Sequence, residues 1–200
     1  MGQRLVITIR AFDEDIAKIY YHWSAYTASA LYEAKNIIDS VDWEEAKSVR
    51  DLQYKLIRFV EENGGCIDGG CDSSEYKAIQ EMFPESKFMN NGSRNNGLIV
   101  LTENGMNSME SWSEGDLTID FDNEMVSNFV IDYYKSLDDV NDYNDWRDEP
   151  LTENDFADVD GDFVDIKFED LDHVLITMNT LWHNGQFEFK TNDMYYVMIA

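Results

Sequence analysis

The 200 residues of the chain are 44% hydrophobic and 14% aromatic, enough apolar side chain to bury a core, so the length points to one domain, or a domain with a subdomain, rather than a disordered chain. Only two prolines occur, and no apolar run approaches the roughly 20 residues that cross a bilayer. Acidic residues outnumber basic ones 41 to 15, for a formal net charge of −26; such a surface repels nucleic acid and anionic membrane, which argues against both as direct ligands and makes a basic protein the natural partner.

The acid is not spread evenly. Residues 110–172 hold 22 acidic residues against Lys135, Arg147 and Lys167, a net of −19, whereas the other 137 residues carry 19 acidic and 12 basic ones. General solubility would distribute charge along the chain; concentration in under a third of it marks a specialised surface.

In chain order, residues 3–23 read as a β-hairpin, with strands around Arg4–Arg10 and Ile16–Trp23 and a turn at Phe12-Asp13-Glu14-Asp15. The opening run Leu5–Ile9 is strand-like and too poorly flanked for a secretory signal, so the expected location is cytoplasmic. From Ser24 the period changes to 3.6, and Leu31, Ala34, Ile38 and Val41 form the stripe of a first helix. Asp42 and Glu45 have capping-box spacing ahead of a second helix, whose face is Val49, Leu52, Leu56, Phe59 and Val60 and whose stop is Gly64-Gly65. Lys47, Arg50, Lys55 and Arg58 sit on this helix and are expected to pair locally with Glu44, Asp51 and Glu61. Asp72 and Glu75 repeat the capping spacing before a short helix ended by Pro84.

The run 90–97 is a loop by composition and a candidate seam between an N-terminal part, 1–89, and an acidic β-rich part, 90–200. A short strand at Leu98–Leu101 follows, then central antiparallel strands carrying Leu117, Ile119 and Phe121 and carrying Phe129, Ile131 and Tyr133. Residues 136–162 are poor in aliphatics and dense in acid, as an irregular loop would be. Leu171, Val174, Leu175, Met178, Leu181 and Trp182 make a C-terminal helical stripe, and 186–199 a closing hairpin. The class is α+β: an N-terminal hairpin and helices, central strands with an acidic outer face, and a C-terminal helix and hairpin.

Enzyme chemistry finds little footing. Aligning Gly161 with the sixth position of an EF-hand puts Phe156 first and Lys167 twelfth, where carboxylates belong, which excludes that loop. Asp158, Asp160 and Asp162 remain a loose candidate cation site. Cys66 and Cys71 lie in a glycine-rich turn at a spacing that fits the standard pattern neither of a disulfide nor of half a zinc site completed by two of His22, His173 and His183, so they are read as reduced loop thiols. No nucleophile-elbow, zincin, phosphate-loop or dinucleotide pattern occurs, and no cofactor is implied.

Geometry remains. Asp116, Asp120, Asp122 and Glu124 share one parity while Leu117, Ile119 and Phe121 take the other, so a strand here would bury one face and present carboxylates about 6.7 Å apart on the opposite one. Asp138, Asp139, Asp142, Asp145, Asp148 and Glu149 add a second negative surface, with Tyr143 and Trp146 among them as aromatic anchors. Rows of fixed negative charge can stand in for phosphates spaced about 3.4 Å along a strand.

In its small size, high acidity and aromatic-rich α+β build, the chain resembles phage-encoded anti-defence proteins, including anti-CRISPR and anti-restriction DNA mimics. The resemblance is one of overall character and rests on no motif, so it carries over no functional residue. It implies a host nuclease as target, for instance a Cas9-type effector whose PAM-reading arginines and basic channel would accept carboxylates in place of DNA, and location in the host cytoplasm. The expected function is thus a non-enzymatic inhibitor that occupies a nucleic-acid site. The alternatives are an acidic adaptor or chaperone for a basic protein, or a divalent-cation-binding module; the sequence leaves the oligomeric state open.

Overall fold

The computed structural model describes residues 4–25, 27–68, 74–89, 94–111, 113–129 and 164–175. They form an α+β fold around a seven-stranded mixed sheet of order β3-β4-β2-β1-β5-β6-β7. In chain order the elements are β1 (Leu5–Ala11), β2 (Glu14–Tyr21), α1 (Thr27–Ser40), α2 (Val49–Glu62), β3 (Cys66–Ile67), α3 (Ser74–Met82), β4 (Leu98–Val100), α4 (Glu103–Glu110), β5 (Gly115–Asp120), β6 (Met125–Phe129) and β7 (Val164–Lys167). Among the described residues no helix is long and apolar enough to cross a membrane.

The expected hairpin is β1–β2, but its turn is tighter than the four residues read from the sequence: Ala11 pairs with Glu14, leaving Phe12 and Asp13 as a two-residue loop. β1 also pairs with β5, in parallel, from Leu5↔Gly115 to Arg10↔Asp120. The sheet therefore crosses the 89/90 boundary, since β4 lies between β3 and β2 and β5 lies against β1. β5 and β6 pair antiparallel, as expected of the central strands; β7, a strand the sequence pattern did not indicate, adds to β6 antiparallel, while the parallel pairs β1·β5 and β3·β4 make the whole sheet mixed.

Alternation along the strands sorts residues onto two faces. Leu5, Ile7, Ile9, Ile19, Ile99, Leu117, Ile119, Val126 and Ile166 point to the larger core, under Leu31, Ala34 and Ile37 of α1 and Leu52, Leu56 and Val60 of α2. Leu171, Val174 and Leu175 of the expected C-terminal stripe close the same core; the rest of that stripe, the closing hairpin, Ile131 and Tyr133 lie outside the described residues. On the other face Val6, Tyr20, Cys66, Leu98 and Val100 pack against Met109 of α4. Cys66 is thus a buried strand residue rather than a loop thiol, and Cys71 lies outside the described residues.

The start of α2 corrects the sequence reading. Asp42 makes no side-chain cap; it precedes only a three-residue 3₁₀ turn, Trp43–Glu45. The cap is Ser48, extended at φ −165°, whose Oγ accepts from the Asp51 amide at 3.2 Å, while Asp51 accepts from the Lys47 amide at 3.0 Å. The displacement has a physical cause in Trp43, which stacks on Phe121 at 5.1 Å and so ties its turn to the far end of the sheet. At the other end of the helix Gly64 takes φ +86° and the Gly65 amide donates to the Val60 carbonyl.

Gly65 lies so close to the β4 lead-in that a Cβ would overlap the Asn96 and Gly97 carbonyl oxygens and the Val60 side chain. Backbone cannot yield as a flexible side chain can. Gly65→Ala should therefore lower the unfolding free energy by about 1–3 kcal/mol, the usual cost of overpacking, as read by urea denaturation.

Candidate acidic interaction surface

Parallel pairing of β1 with β5 makes both strands finish at the same end of the sheet, so the β1–β2 and β5–β6 turns emerge side by side. Phe12 and Asp13 occupy positive φ, 58° and 63°, as a two-residue hairpin turn of right-handed strands requires. Phenylalanine is ill suited to that region, at a cost of about 1–2 kcal/mol. The Asp122 carboxylate from the neighbouring turn offsets it, accepting from the Phe12 amide at 3.0 Å and the Asp13 amide at 2.8 Å.

Asp120 is committed in the same way. Its carboxylate accepts from the amides of Asp122 and Asn123, each at 3.0 Å, and from the Asn123 side chain at 2.8 Å. These local bonds pull the chain out of the strand, so β5 ends at Asp120 and the expected row breaks. Asp116 and Asp120 share the outer face of β5, whereas Asp122 and Glu124 belong to the turn, Glu124 at φ 52°. Leu117, Ile119 and Phe121 are buried on the opposite face as read.

Two further segments join this end. Trp43, Phe121 and Phe168 form an aromatic triad, with ring centroids 5.1 to 5.9 Å apart, and the Phe168 amide donates to the Glu124 carbonyl at 2.9 Å. The triad brings Glu44 and Glu45 from one side and Glu169 and Asp170 from the other to Asp13, Glu14, Asp15, Asp120, Asp122 and Glu124, ten acidic residues in all. The cations beside them are Arg10, placed 3.3 Å from Asp15 and 4.0 Å from Asp120, and Lys167, 3.5 Å from Glu169. Among the described residues no other lysine or arginine forms an ion pair with these ten. Phe12, 43% exposed, stands in their midst.

Asp116 has a different setting, nearer the start of β5. Lys18, buried on β2, makes an ion pair with Glu110 of α4. Partial withdrawal from water and the charge of Glu110 push the Asp116 carboxyl above the usual carboxylate range, against the pull of Lys18. Next door, Glu114 accepts from both the backbone amide and the guanidinium of Arg4, each at 3.0 Å, and these bonds hold its carboxyl below the usual range.

The basic helix keeps its expected local pairing at Arg58 and departs from it elsewhere. Arg58 lies 3.3 Å from Glu62 and 4.0 Å from Glu61, and Lys55 donates to the Asp42 carbonyl at 2.6 Å. Lys47 and Arg50, both exposed, have no ion-pair partner among the described residues. Asp138, Asp139, Asp142, Tyr143, Asp145, Trp146, Asp148 and Glu149, and the candidate cation ligands Asp158, Asp160 and Asp162, lie outside the described residues. Within the described residues no group of three or more metal-ligating side chains comes together.

Sequence reasoning left Phe12, Asp13, Glu14, Asp15, Glu44 and Glu45 out of the site because they lie far from 110–172 along the chain. The available signal was the tetrad Phe12-Asp13-Glu14-Asp15 itself, an aromatic residue followed by three acids where a hairpin turn normally takes asparagine and glycine. No family model matches this chain, and no curated protein or solved structure does.

Because Asp122 holds two strained amides, Asp122→Ala should cost about 1–2 kcal/mol in chemical denaturation, whereas Asp122→Asn, which keeps one acceptor oxygen, should cost less. In a carboxyl NMR titration, Glu114 should titrate below and Asp116 above ordinary carboxylates. The Glu114 contribution to stability is present above its unfolded pKa and is lost as pH falls through its lowered folded pKa; Asp116 has the opposite sign, its protonation favouring the folded state. Arg4→Ala should return Glu114 only part of the way, since the backbone amide bond survives.

Proposed function

We propose that the protein is a non-catalytic inhibitor that occupies the nucleic-acid site of a nuclease or other nucleic-acid-binding protein. The observation that carries this reading is the segregation of charge, a net of −19 within residues 110–172 out of −26 for the chain. The acidic end of the sheet supports it, because acids from four chain segments converge there with few cations to neutralise them. A nucleic-acid site is built to hold closely spaced negative charge, and carboxylates at a fixed surface compete for the same arginines and lysines. Rigid presentation matters, since each side chain already held in place loses less entropy on binding. Asp120 and Asp122, by holding the two turns, supply that rigidity and make the shape of the surface, while Asp13, Glu14 and Glu124 supply its free charge; the acids of 138–149 add to the negative charge of the chain. Tyr143 and Trp146 provide apolar area among those acids.

The test begins with a target retained from a host lysate on the immobilised protein and then measured in purified form. Duplex DNA and this protein should exclude one another on it, and association should slow steeply with salt. Asp138→Asn, Asp139→Asn, Asp142→Asn and Asp145→Asn together should lower the association rate and flatten its salt dependence. The control carries Glu62→Gln, Glu75→Gln, Glu81→Gln and Glu85→Gln, four exposed acids outside 110–172, and should behave much more like the unaltered chain. A ternary complex of target, DNA and this protein would refute mimicry in favour of an adaptor, and equal effects from the two charge sets would show that only bulk charge matters.

A further inference from the structure

The basic and aromatic part of the surface lies between α2 and α3. A groove of about 430 Å³ is lined there by Ser48, Arg50, Asp51, Tyr54, Met82 and Phe83. Its apolar side is Met82 and Tyr54, the latter half exposed and stacked on Phe83 with centroids 6.2 Å apart and planes 19° from parallel, while the Asp51 carboxylate on its polar side is engaged by the Lys47 amide. Arg50 stands in the lining with no ion-pair partner among the described residues, and Lys47 is in the same condition at the foot of the helix. In a chain with 41 acids and 15 bases, an arginine with no ion-pair partner among the described residues, set beside an aromatic wall, favours an occupant that is both apolar and anionic.

The molecule carries such an occupant on its own surface. Phe12 projects from the β1–β2 turn, 43% exposed, followed directly by Asp13, Glu14 and Asp15. The geometry points to self-association in which the Phe12 tip of one copy enters the α2–α3 groove of a second copy, its carboxylates meeting Arg50 and Lys47. Tip and groove belong to neighbouring parts of one molecular end, as Gln53 of α2 donates to the Ile16 carbonyl of β2 at 2.7 Å. That placement is compatible with a two-fold pair in which each copy gives a tip and receives one, which closes the assembly at two. Overall like charge opposes the pairing, but at physiological ionic strength repulsion beyond about 8 Å is screened while pairs at contact, partly shielded from water, are screened much less. One aromatic anchor with a few rim charges makes a small contact, so the association is weak and shows only at high concentration. The inference does not depend on the inhibitor reading.

Sedimentation velocity on the full chain over a concentration series, at physiological salt, tests it. The unaltered protein should associate reversibly to a dimer. Phe12→Asn and Arg50→Glu should each lower the association constant about tenfold, the loss expected for a central anchor. Asparagine tolerates positive φ, so Phe12→Asn should melt no lower than the unaltered chain; its loss of association cannot then be ascribed to unfolding. Glu14→Lys should also weaken self-association, and mixing it with Arg50→Glu should restore a heterodimer, because each tip then meets a groove of opposite charge. A protein that stays monomeric throughout the series overturns the inference. So does association that survives Phe12→Asn, or that is lost there yet unchanged by Arg50→Glu.

Discussion

The parallel pairing of β1 with β5 is the constraint from which the rest of the surface follows. Strand β1 is the middle strand of the sheet, and β5 aligns with it residue for residue from Leu5↔Gly115 to Arg10↔Asp120. Were β5 antiparallel, its following turn would leave from the opposite end and the acids of 121–124 would stand a strand length, about 20 Å, from those of 13–15. The parallel register instead lets Asp122 reach the two amides of the β1–β2 turn. At the other end of the pair, Arg4 clamps Glu114 just before β5 begins. The two clamps fix the register from both sides.

That pairing is also where sequence reading ends. Local patterns carry local structure: the β-branched alternation of β1, the stripe of Leu31, Ala34, Ile38 and Val41, the face of α2 and its Gly64-Gly65 stop all depend on neighbours a few residues away, and all are present except that Ile37 takes the fully buried place and Ile38 is partly buried beside it. The partner of β1 across more than a hundred residues leaves no such mark. The misplaced cap shows the same limit at smaller scale. Asp42 and Glu45 fit a capping box as well as Ser48 and Asp51 do, and the choice falls to Trp43, whose ring finds Phe121 and Phe168 across the fold. The acidic row on β5 was legible as far as Asp120, because parity is a local property. It failed at Asp122 because an aspartate can trade its strand place for bonds to its own backbone, a competition that parity does not register.

The same residue type therefore does two kinds of work here, and geometry separates them. Asp51, Asp120, Asp122 and Glu114 each accept from backbone amides, where a charge-assisted bond stabilises a cap or a turn. Asp13, Glu14, Glu44, Glu45 and Glu124 have exposed side chains that build nothing comparable. An interface assembled from the second kind can change its charge without changing its shape.

That separation also explains how a protein of net charge −26 tolerates so much like charge at one end. Carboxylates at the end of a sheet face water, where a like pair several ångströms apart costs on the order of 1 kcal/mol or less and salt reduces it further. An extensive apolar cluster on one face of the sheet and a smaller one on the other outweigh repulsion of that size. At this end of the sheet the charge is thus carried by turns and strand ends whose backbones are pinned by a few committed carboxylates; among the described residues Glu33 and Glu61 are the buried acids, each hydrogen-bonded, Glu33 to Ser24 and Glu61 to the Lys87 amide. A surface so arranged keeps its electrostatic field when individual acids are exchanged and loses its form when Asp120 or Asp122 is. Field and form are set by different residues of the same few turns.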